Sequence, residues 1–259
     1  MSQTEIISHE EIGEKLFRMV LQAPVDLREK GYMPGQFLHF RVSDSYDFVL
    51  RRPISLCLAD ETNNRVTVVY RVQGEGTRRI AEKKPGDMID VIGPLGHGFP
   101  IHDQDDQVLV VGGGIGVPPL LELARKLTQQ GIRVIAVLGF QRASQVILVD
   151  EFSAYAQVHV VTDDGSMGEQ GKVTDLFHVE RLRGVKRYYA CGPTPMLQAV
   201  QAAMMAHAIP GYLSLEERMG CGIGLCAGCV HKVKHNDEIK HLKTCREGPV
   251  FAAQEVVFS

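Results

Sequence analysis

Four cysteines near the end of the chain stand at fixed intervals: Cys221, Cys226 and Cys229 in a C-x4-C-x2-C pattern, answered after fifteen intervening residues by Cys245. No other stretch limits the fold so strongly, because four thiols so spaced require a loop that wraps a single inorganic group. The spacing is the plant-type ligand pattern of a [2Fe–2S] cluster. Such a loop must run close to bridging sulfides, and glycine tolerates the positive φ this requires. Gly220, Gly222, Gly224, Ala227 and Gly228 supply small residues. They also leave amide N–H groups free to point at sulfur, which tunes a cluster's potential.

Three other chemistries use cysteine. Structural zinc prefers two C-x2-4-C pairs, and Cys245 has no second cysteine near it. Disulfides suit small secreted domains, and this chain is neither small nor visibly secreted. A Rieske centre replaces two cysteines with histidines; His231, His235 and His241 are near, but four cysteines are already available. These three read as surface histidines.

At 259 residues the chain has room for two domains and a small appendage. A net charge of −3 gives no electrostatic footprint for nucleic acid. The stretch Met1 to Lys15 is polar and acidic, without the apolar core of a signal peptide, and no apolar run approaches membrane-spanning length. The expectation is a cytoplasmic protein off the membrane, where reduced thiols are available to a metal. Cys57 and Cys191 stand apart and read as buried, unpaired cysteines.

From Glu5 to about Gly98 the signal is strand and turn. Residues 37–42, 65–72 and 87–92 read as β-segments, separated by Pro34-Gly35, Asn63-Asn64, Gly74 to Gly76 and Pro85-Gly86. Many short strands without helical repeats predict a closed antiparallel barrel. Within it, Arg51-Arg52-Pro53-Ile54-Ser55-Leu56 is unusual. Proline removes a ladder hydrogen bond, so the strand there is an edge or ends. Taken alone, this is a surface arginine before a kink. Gly74-Glu75-Gly76-Thr77 adds backbone N–H groups and a hydroxyl, the kind of nest that holds a phosphate. Gly93-Pro94-Leu95-Gly96 reads as a tight loop closing the barrel.

At Gln107 the texture changes to alternating strand and helix. Val108 to Val111 is apolar throughout, as in a buried parallel strand, and runs into Gly112-Gly113-Gly114-Ile115-Gly116-Val117-Pro118-Pro119. A helix follows, with Leu120, Leu121, Ala124 and Leu127 at helical spacing and the prolines in its first turn. Glycines at such a turn let a pyrophosphate approach the backbone and meet the helix's positive end, though glycine also serves plain tight turns. This is not the G-x-G-x-x-G fingerprint, because Val117 holds the third position, and only the more distant Asp150 and Glu151 follow as acids for a ribose. Strands are expected at 134–138, 158–161 and 187–191, and a short helix over 173–179. The last strand ends in Cys191-Gly192-Pro193-Thr194-Pro195-Met196, and Met196, Leu197, Val200, Ala203 and Met204 share a face of the helix beyond. The pattern predicts an open α/β sheet with its ligand at the carboxyl edge.

In order and in detail these motifs resemble the ferredoxin–NADP reductase superfamily, and within it the electron-transfer subunits of dihydroorotate dehydrogenase B. The flavin motif Arg-x-x-Ser is matched by Arg52-Pro53-Ile54-Ser55, and the glycine loop and Cys-Gly-Pro-x-x-Met segment match that superfamily's pyridine-nucleotide site. Leu215 to Gly224, leading into the cysteines, and Thr244 to Phe251 match the branch. The resemblance implies an α+β multidomain chain: an FAD-binding antiparallel β-barrel over 1–102, a doubly wound α/β NAD-binding domain over 103–213, and a small [2Fe–2S] segment over 214–259. It implies FAD held by Arg52, Pro53, Ile54 and Ser55, by Val69, Tyr70 and Arg71, and by Gly76 and Thr77. It places NAD at Gly112, Gly113, Gly114, Ile115 and Gly116 with Cys191, Gly192, Pro193 and Met196, and a cluster on the four cysteines. Cys191 is expected either beside the nicotinamide or as a small residue ending a buried strand. Arg142 is a candidate for a 2′-phosphate, or a solvated loop arginine. Typical members end in an aromatic residue over the flavin ring, whereas this chain runs on into the cysteine segment.

The resemblance also implies a partner: an FMN-containing catalytic subunit that oxidises dihydroorotate to orotate in pyrimidine synthesis, in a two-plus-two heterotetramer. The expected route is dihydroorotate, partner FMN, cluster, FAD, NAD+, with no acid–base residue required. Two alternatives remain: a reductase or hydrogenase-linked subunit between NAD(P)H and ferredoxin, and a non-enzymatic, zinc-stabilised nucleotide-binding regulator.

Overall fold

Alternating burial builds the first unit. In the computed structural model, which describes residues 2–43, 47–235 and 238–258, six antiparallel strands close the expected barrel. They are β1 (Ser2–Gly13), β2 (Leu16–Gln22), β3 (Phe37–Phe40), β4 (Arg52–Asp60), β5 (Arg65–Arg71) and β6 (Met88–Leu95), in the order β1-β2-β5-β4-β3-β6. Helices α1 (Leu27–Lys30) and α2 (Glu75–Ala81) lie on its connections. On β5, Val66, Val68 and Tyr70 fill the barrel while Val69 joins a second core outside it, the period of two that a pleated strand imposes.

One expectation holds locally here and one changes. Pro53 stands near the start of β4, where the strand pairs with β3 alone and is locally an edge, although further along β4 lies between β5 and β3 in a closed barrel. Proline is accommodated because the ladder to β5 begins only at Leu56, leaving Pro53 outside it. Gly93 and Pro94 belong to β6 rather than to a loop. They sit where its register with β3 shifts, and a Cβ on Gly93 would meet Leu38 Cδ2 at 2.7 Å. Glycine and proline both suit such an irregularity.

The middle of the chain forms β7 (Gln107–Gly113), α3 (Pro118–Gln129), β8 (Arg133–Phe140), α4 (Val149–Ser153), β9 (Gln157–Thr162), β10 (Glu169–Gln170), α5 (Val179–Leu182), β11 (Arg187–Cys191), α6 (Thr194–Ala206) and β12 (Gly211–Ser214). The apolar run of β7 lies between β8 and β11, both parallel to it. Val108 and Val110 enter a core with Leu120, Leu123 and Leu127 of α3; Leu109 and Val111 enter another with Leu197, Val200 and Met204 of α6. Helices thus cover both faces, and each buried aliphatic side chain contributes roughly 1.5–3 kcal/mol. The helix expected over 173–179 is instead a 3-10 turn at Val173–Leu176 followed by the separate α5.

The tail forms a hairpin, β13 (Val230–His235) with β14 (Glu238–Lys243), then returns as β15 (Val250–Ala252) to pair antiparallel with β12. The α/β sheet therefore runs β10-β9-β8-β7-β11-β12-β15.

Barrel and sheet are locked together by one buried charge. Glu122 of α3, 1% exposed, accepts from Tyr32 Oη at 2.7 Å and from the Ala59 amide at 3.3 Å. Arg125 Nη2 donates to Glu122 Oε1 at 2.6 Å and to the Ala59 carbonyl at 3.2 Å.

Candidate functional site

The outer face of β3 organises the site. Leu38 and Phe40 point into the barrel, so Phe37 and His39 point away from it. Cross-strand partners share a face, and here Ser55 pairs with Phe37 and Pro53 with His39. Phe37 packs with Met219, Cys229 and Cys245. The flavin-type motif and the cysteine segment therefore meet across two paired strands.

The cysteines stand as two pairs. The Cys226 amide donates to Cys221 Sγ at 3.3 Å, and the Cys245 amide to Cys229 Sγ at 3.5 Å. The Gly224 amide donates to Cys245 Sγ at 3.2 Å, tying the pairs together, and Lys243 Nζ holds the Gly224 carbonyl at 2.7 Å. Gly222 and Gly224 take φ of 71° and 83°, as the wrapped loop needs. The β13–β14 hairpin fills the interval and brings Cys245 back, with the Thr244 amide on the Cys229 carbonyl at 2.8 Å. Among the described residues no three His, Cys, Asp or Glu side chains gather about a point that could hold one metal ion. Two thiol pairs are what a two-iron group takes.

Electrostatics divide the two pairs. Amide donation, above all from Cys226, holds the Cys221 thiol down at about 6, towards the thiolate that binds metal. Burial pushes Cys245 up to about 12, a cost that coordination removes by displacing the proton. Two buried polar groups beside the segment, the His39 ring nitrogens and Thr244 Oγ1, have no hydrogen-bond partner. Burial first, then the neighbouring Arg51 guanidinium, holds the His39 imidazole down at about 4. Of the three nearby histidines, His231 is not on the surface: its side chain is 15% exposed and meets Glu217 Oε1 at 3.1 Å. His235 and His241 are exposed.

The flavin-type residues converge in part. Arg52 lies over Gly76, where a Cβ would meet its Nε at 2.6 Å, and its Nη1 donates to the Leu50 carbonyl at 2.7 Å. Thr77 spends its hydroxyl on the turn, accepting from the Gln73 and Gly74 amides at 3.0 and 3.2 Å. Ile54 and Tyr70 point into the barrel, and Tyr70 Oη pairs with His9 Nε2 at 2.9 Å. Val69 faces the second core. Arg71 reaches out to the glycine loop, with its Nη2 3.6 Å from the place of a Cβ on Gly114.

A cavity of about 530 Å³ opens at the carboxyl ends of β7, β8 and β9. Arg71, Gly113, Gly114, Ile115, Pro193 and Met196 line it together with Phe140, Gln141, Asp163, Lys172 and Thr174. Gly112 lies behind this wall, where a Cβ would meet Val117 Cγ2 at 2.8 Å. Gly116 presses on the chain at Cys191 and Gly192, and the Cys191 thiol is pushed up to about 12 by burial. Glu151 is paired with Arg18 of the barrel instead of facing the cavity. Asp163 and Lys172, 3.0 Å apart, escaped sequence reasoning. Asp163 directly follows a parallel strand, so counting strand ends finds it.

Comparison with known proteins gives concordant matches. The profile described as the iron-sulfur cluster binding domain of dihydroorotate dehydrogenase B matches residues 216–257, and that of an oxidoreductase FAD-binding domain matches residues 3–99. The protein of Geobacillus kaustophilus (strain HTA426) named dihydroorotate dehydrogenase B (NAD(+)), electron transfer subunit, is 47% identical over 97% of this chain and 96% of its own. Its namesake in Bacillus velezensis is 46% identical over 96% of each chain. Among solved structures, an NADH-dependent reduced ferredoxin-NADP oxidoreductase superposes with a TM-score of 0.86 at 30% identity, over 99% of this chain and 90% of that one. The ferredoxin reductase in carbazole 1,9a-dioxygenase, at 18% identity and a TM-score of 0.68 over 80% of this chain and 65% of that one, shares the fold.

Proposed function

The chain belongs to the family of electron-transfer subunits of NAD+-dependent dihydroorotate dehydrogenase B, and from that membership we propose how its residues divide the task. The family links dihydroorotate oxidation in pyrimidine biosynthesis to NAD+, with FAD and an iron–sulfur cluster on this subunit. A nicotinamide exchanges hydride, a cluster single electrons, and a flavin either, so a flavin belongs between the other two.

Cys221 with Cys226, and Cys229 with Cys245, hold the cluster, while the Gly224 and Cys226 amides stabilise charge on sulfur. Arg52 and the backbone at Gly76 hold the FAD phosphates, and Pro53 and Ser55 present the outer strand face to the ring. The backbone of Val69 and Tyr70 borders that face; the side chains of Tyr70 and Ile54 support it from within the barrel, and that of Val69 packs in the core outside it. Thr77 shapes the phosphate turn through its hydroxyl. Gly113, Gly114 and Ile115, with Arg71, Pro193 and Met196, receive NAD+. Gly112, Gly116, Cys191 and Gly192 set the backbone behind them.

One observation carries this ordering: the barrel touches both other sites, through Phe37 and His39 on the cysteine segment and through Arg71 on the nucleotide cavity. The partner we propose is an FMN-bearing dihydroorotate-oxidising subunit, in a two-plus-two assembly in the cytoplasm. No helix among the described residues is long and apolar enough to cross a membrane.

Cys226→Ser tests the assignment. The expected result is loss of iron and of electron flow to the partner, with NADH still reducing the flavin. An FAD-loaded, folded variant whose flavin no longer responds to NADH would overturn the ordering.

A further inference from the structure

His39 carries more chemistry than its place in the barrel needs. Its ring is fully buried at 0% exposure, yet neither Nδ1 nor Nε2 makes a hydrogen bond. The backbone of Arg51 and of Cys221 lies near it. A buried imidazole with two unpaired nitrogens calls for an explanation, because buried polar side chains nearly always find partners. Packing alone does not give one. Phe37, two residues earlier on the same face, already seals the barrel against Met219, Cys229 and Cys245, and an apolar residue at 39 would extend that seal at no polar cost.

The loop opposite is shaped around the imidazole. Gly222 follows Cys221 with φ of 71°, and a Cβ there would overlap His39 Nδ1 and stand 2.7 Å from its Cε1. Only glycine lets the backbone between Cys221 and Cys226 come this close. On its other flank the ring is fixed: Phe37 meets it edge-on at 6.4 Å. Arg51 Nη1 clasps the His39 carbonyl at 3.2 Å, and Arg51 Nη2 is anchored on Asp90 Oδ2 at 2.8 Å. Across the strands stands Pro53 of the flavin motif. One rigid, unsatisfied donor therefore lies between the two cofactor sites.

We propose that His39 is a positioning residue for the iron–sulfur centre: its ring N–H donates a hydrogen bond to sulfur held by the Cys221–Cys226 loop, and this favours the reduced cluster. The inference rests on the assignment of the cluster to the four cysteines. No proton or electron is transferred by the bond. A donor facing sulfur stabilises the extra negative charge of the one-electron-reduced state, and so raises the potential.

The test uses the complete complex, purified without oxygen, as wild type, His39→Phe and His39→Gln, with the cluster followed by EPR during redox titration. In H39F the reduced-to-oxidised ratio of the cluster at fixed poise should fall about tenfold, equivalent to about 59 mV for one electron. Iron and FAD content should hold and the EPR g-values should shift. H39Q, which keeps an N–H donor, should fall by less. An iron-replete H39F that titrates as wild type overturns the inference, as do equal shifts in H39F and H39Q, or a shift confined to the FAD. If H39F sheds its iron, H39Q decides: iron retained near the wild-type ratio supports a donor, and iron lost there too assigns His39 to packing. A wild-type preparation without iron overturns the cluster assignment itself, a failure that appears before any variant is compared.

Discussion

Arg52 lies across Gly76 so closely that a Cβ on the glycine would stand 2.6 Å from Nε and 2.7 Å from Nη2 of the arginine. Residues far apart in sequence thus form one surface, the guanidinium above and a bare backbone below. Gly76→Ala should push the guanidinium aside. Overpacking of this kind costs about 1–3 kcal/mol, so FAD affinity should fall about tenfold or more. Titrating apoprotein with FAD and following flavin fluorescence reads this directly, and wild-type affinity in the alanine variant would remove Arg52 from the phosphate site.

Gly116 bears on the chain where β11 ends: an added Cβ would lie 2.5 Å from the Cys191 carbonyl carbon and from the Gly192 amide nitrogen. Gly116→Ala should therefore part the glycine loop from the Cys191–Pro193 turn and deform the cavity between them. FAD loading should stay normal, since the barrel is untouched. The rate of flavin reduction by NADH, followed by stopped-flow absorbance, should drop at least tenfold, and an unchanged rate would show that the loop does not shape the nucleotide site.

The charge that joins barrel to sheet predicts a stability effect. Glu122→Ala leaves the half-buried Arg125 guanidinium beside Ala59 without its carboxylate and strips Tyr32 of its acceptor. The guanidinium left behind still reaches solvent, so losing its carboxylate and the acceptor of Tyr32 costs about 2–3 kcal/mol, less than for a fully buried pair. Urea denaturation should show a loss of that size, whereas Tyr32→Phe, which removes one hydrogen bond, should cost about 1 kcal/mol. A loss in Glu122→Ala no larger than in Tyr32→Phe would mean that apolar contact alone holds the two units together.

The particular residues show what a linear sequence carries. The cysteine spacing is local in three of its four ligands, and it encodes a wrapped loop because glycines are interspersed among those three. The all-apolar run at Val108–Val111 announces a strand covered on both faces, and helices do cover it. Gly93-Pro94 reads as a loop because both residues break ladders, whereas a register shift in a closed barrel absorbs them. His39 and Glu122 carry no local signal. Strand parity gives the face of His39 but not that Gly222 approaches it, and a glutamate one turn into a helix reads as solvated until Tyr32 and Ala59 arrive from another unit. Tyr70 shows the reverse: it lies in the flavin-type stretch, yet its side chain faces inward to His9.

Leu225 is 81% exposed and Ile223 46% exposed, both in the loop that carries Cys221 and Cys226. Electron transfer requires proximity and a burying apolar surface supplies affinity, so this loop is where docking of the catalytic subunit is to be tested. Leu225→Glu places a charge at the centre of that surface and leaves the fold intact, since the side chain touches little of its own chain. Affinity for the catalytic subunit should fall about tenfold or more, with iron and FAD content unchanged. Analytical gel filtration of mixed subunits measures the association, and NADH-driven flavin reduction in the isolated subunit serves as the control. A variant that assembles normally would move the docking surface away from the cysteine loop.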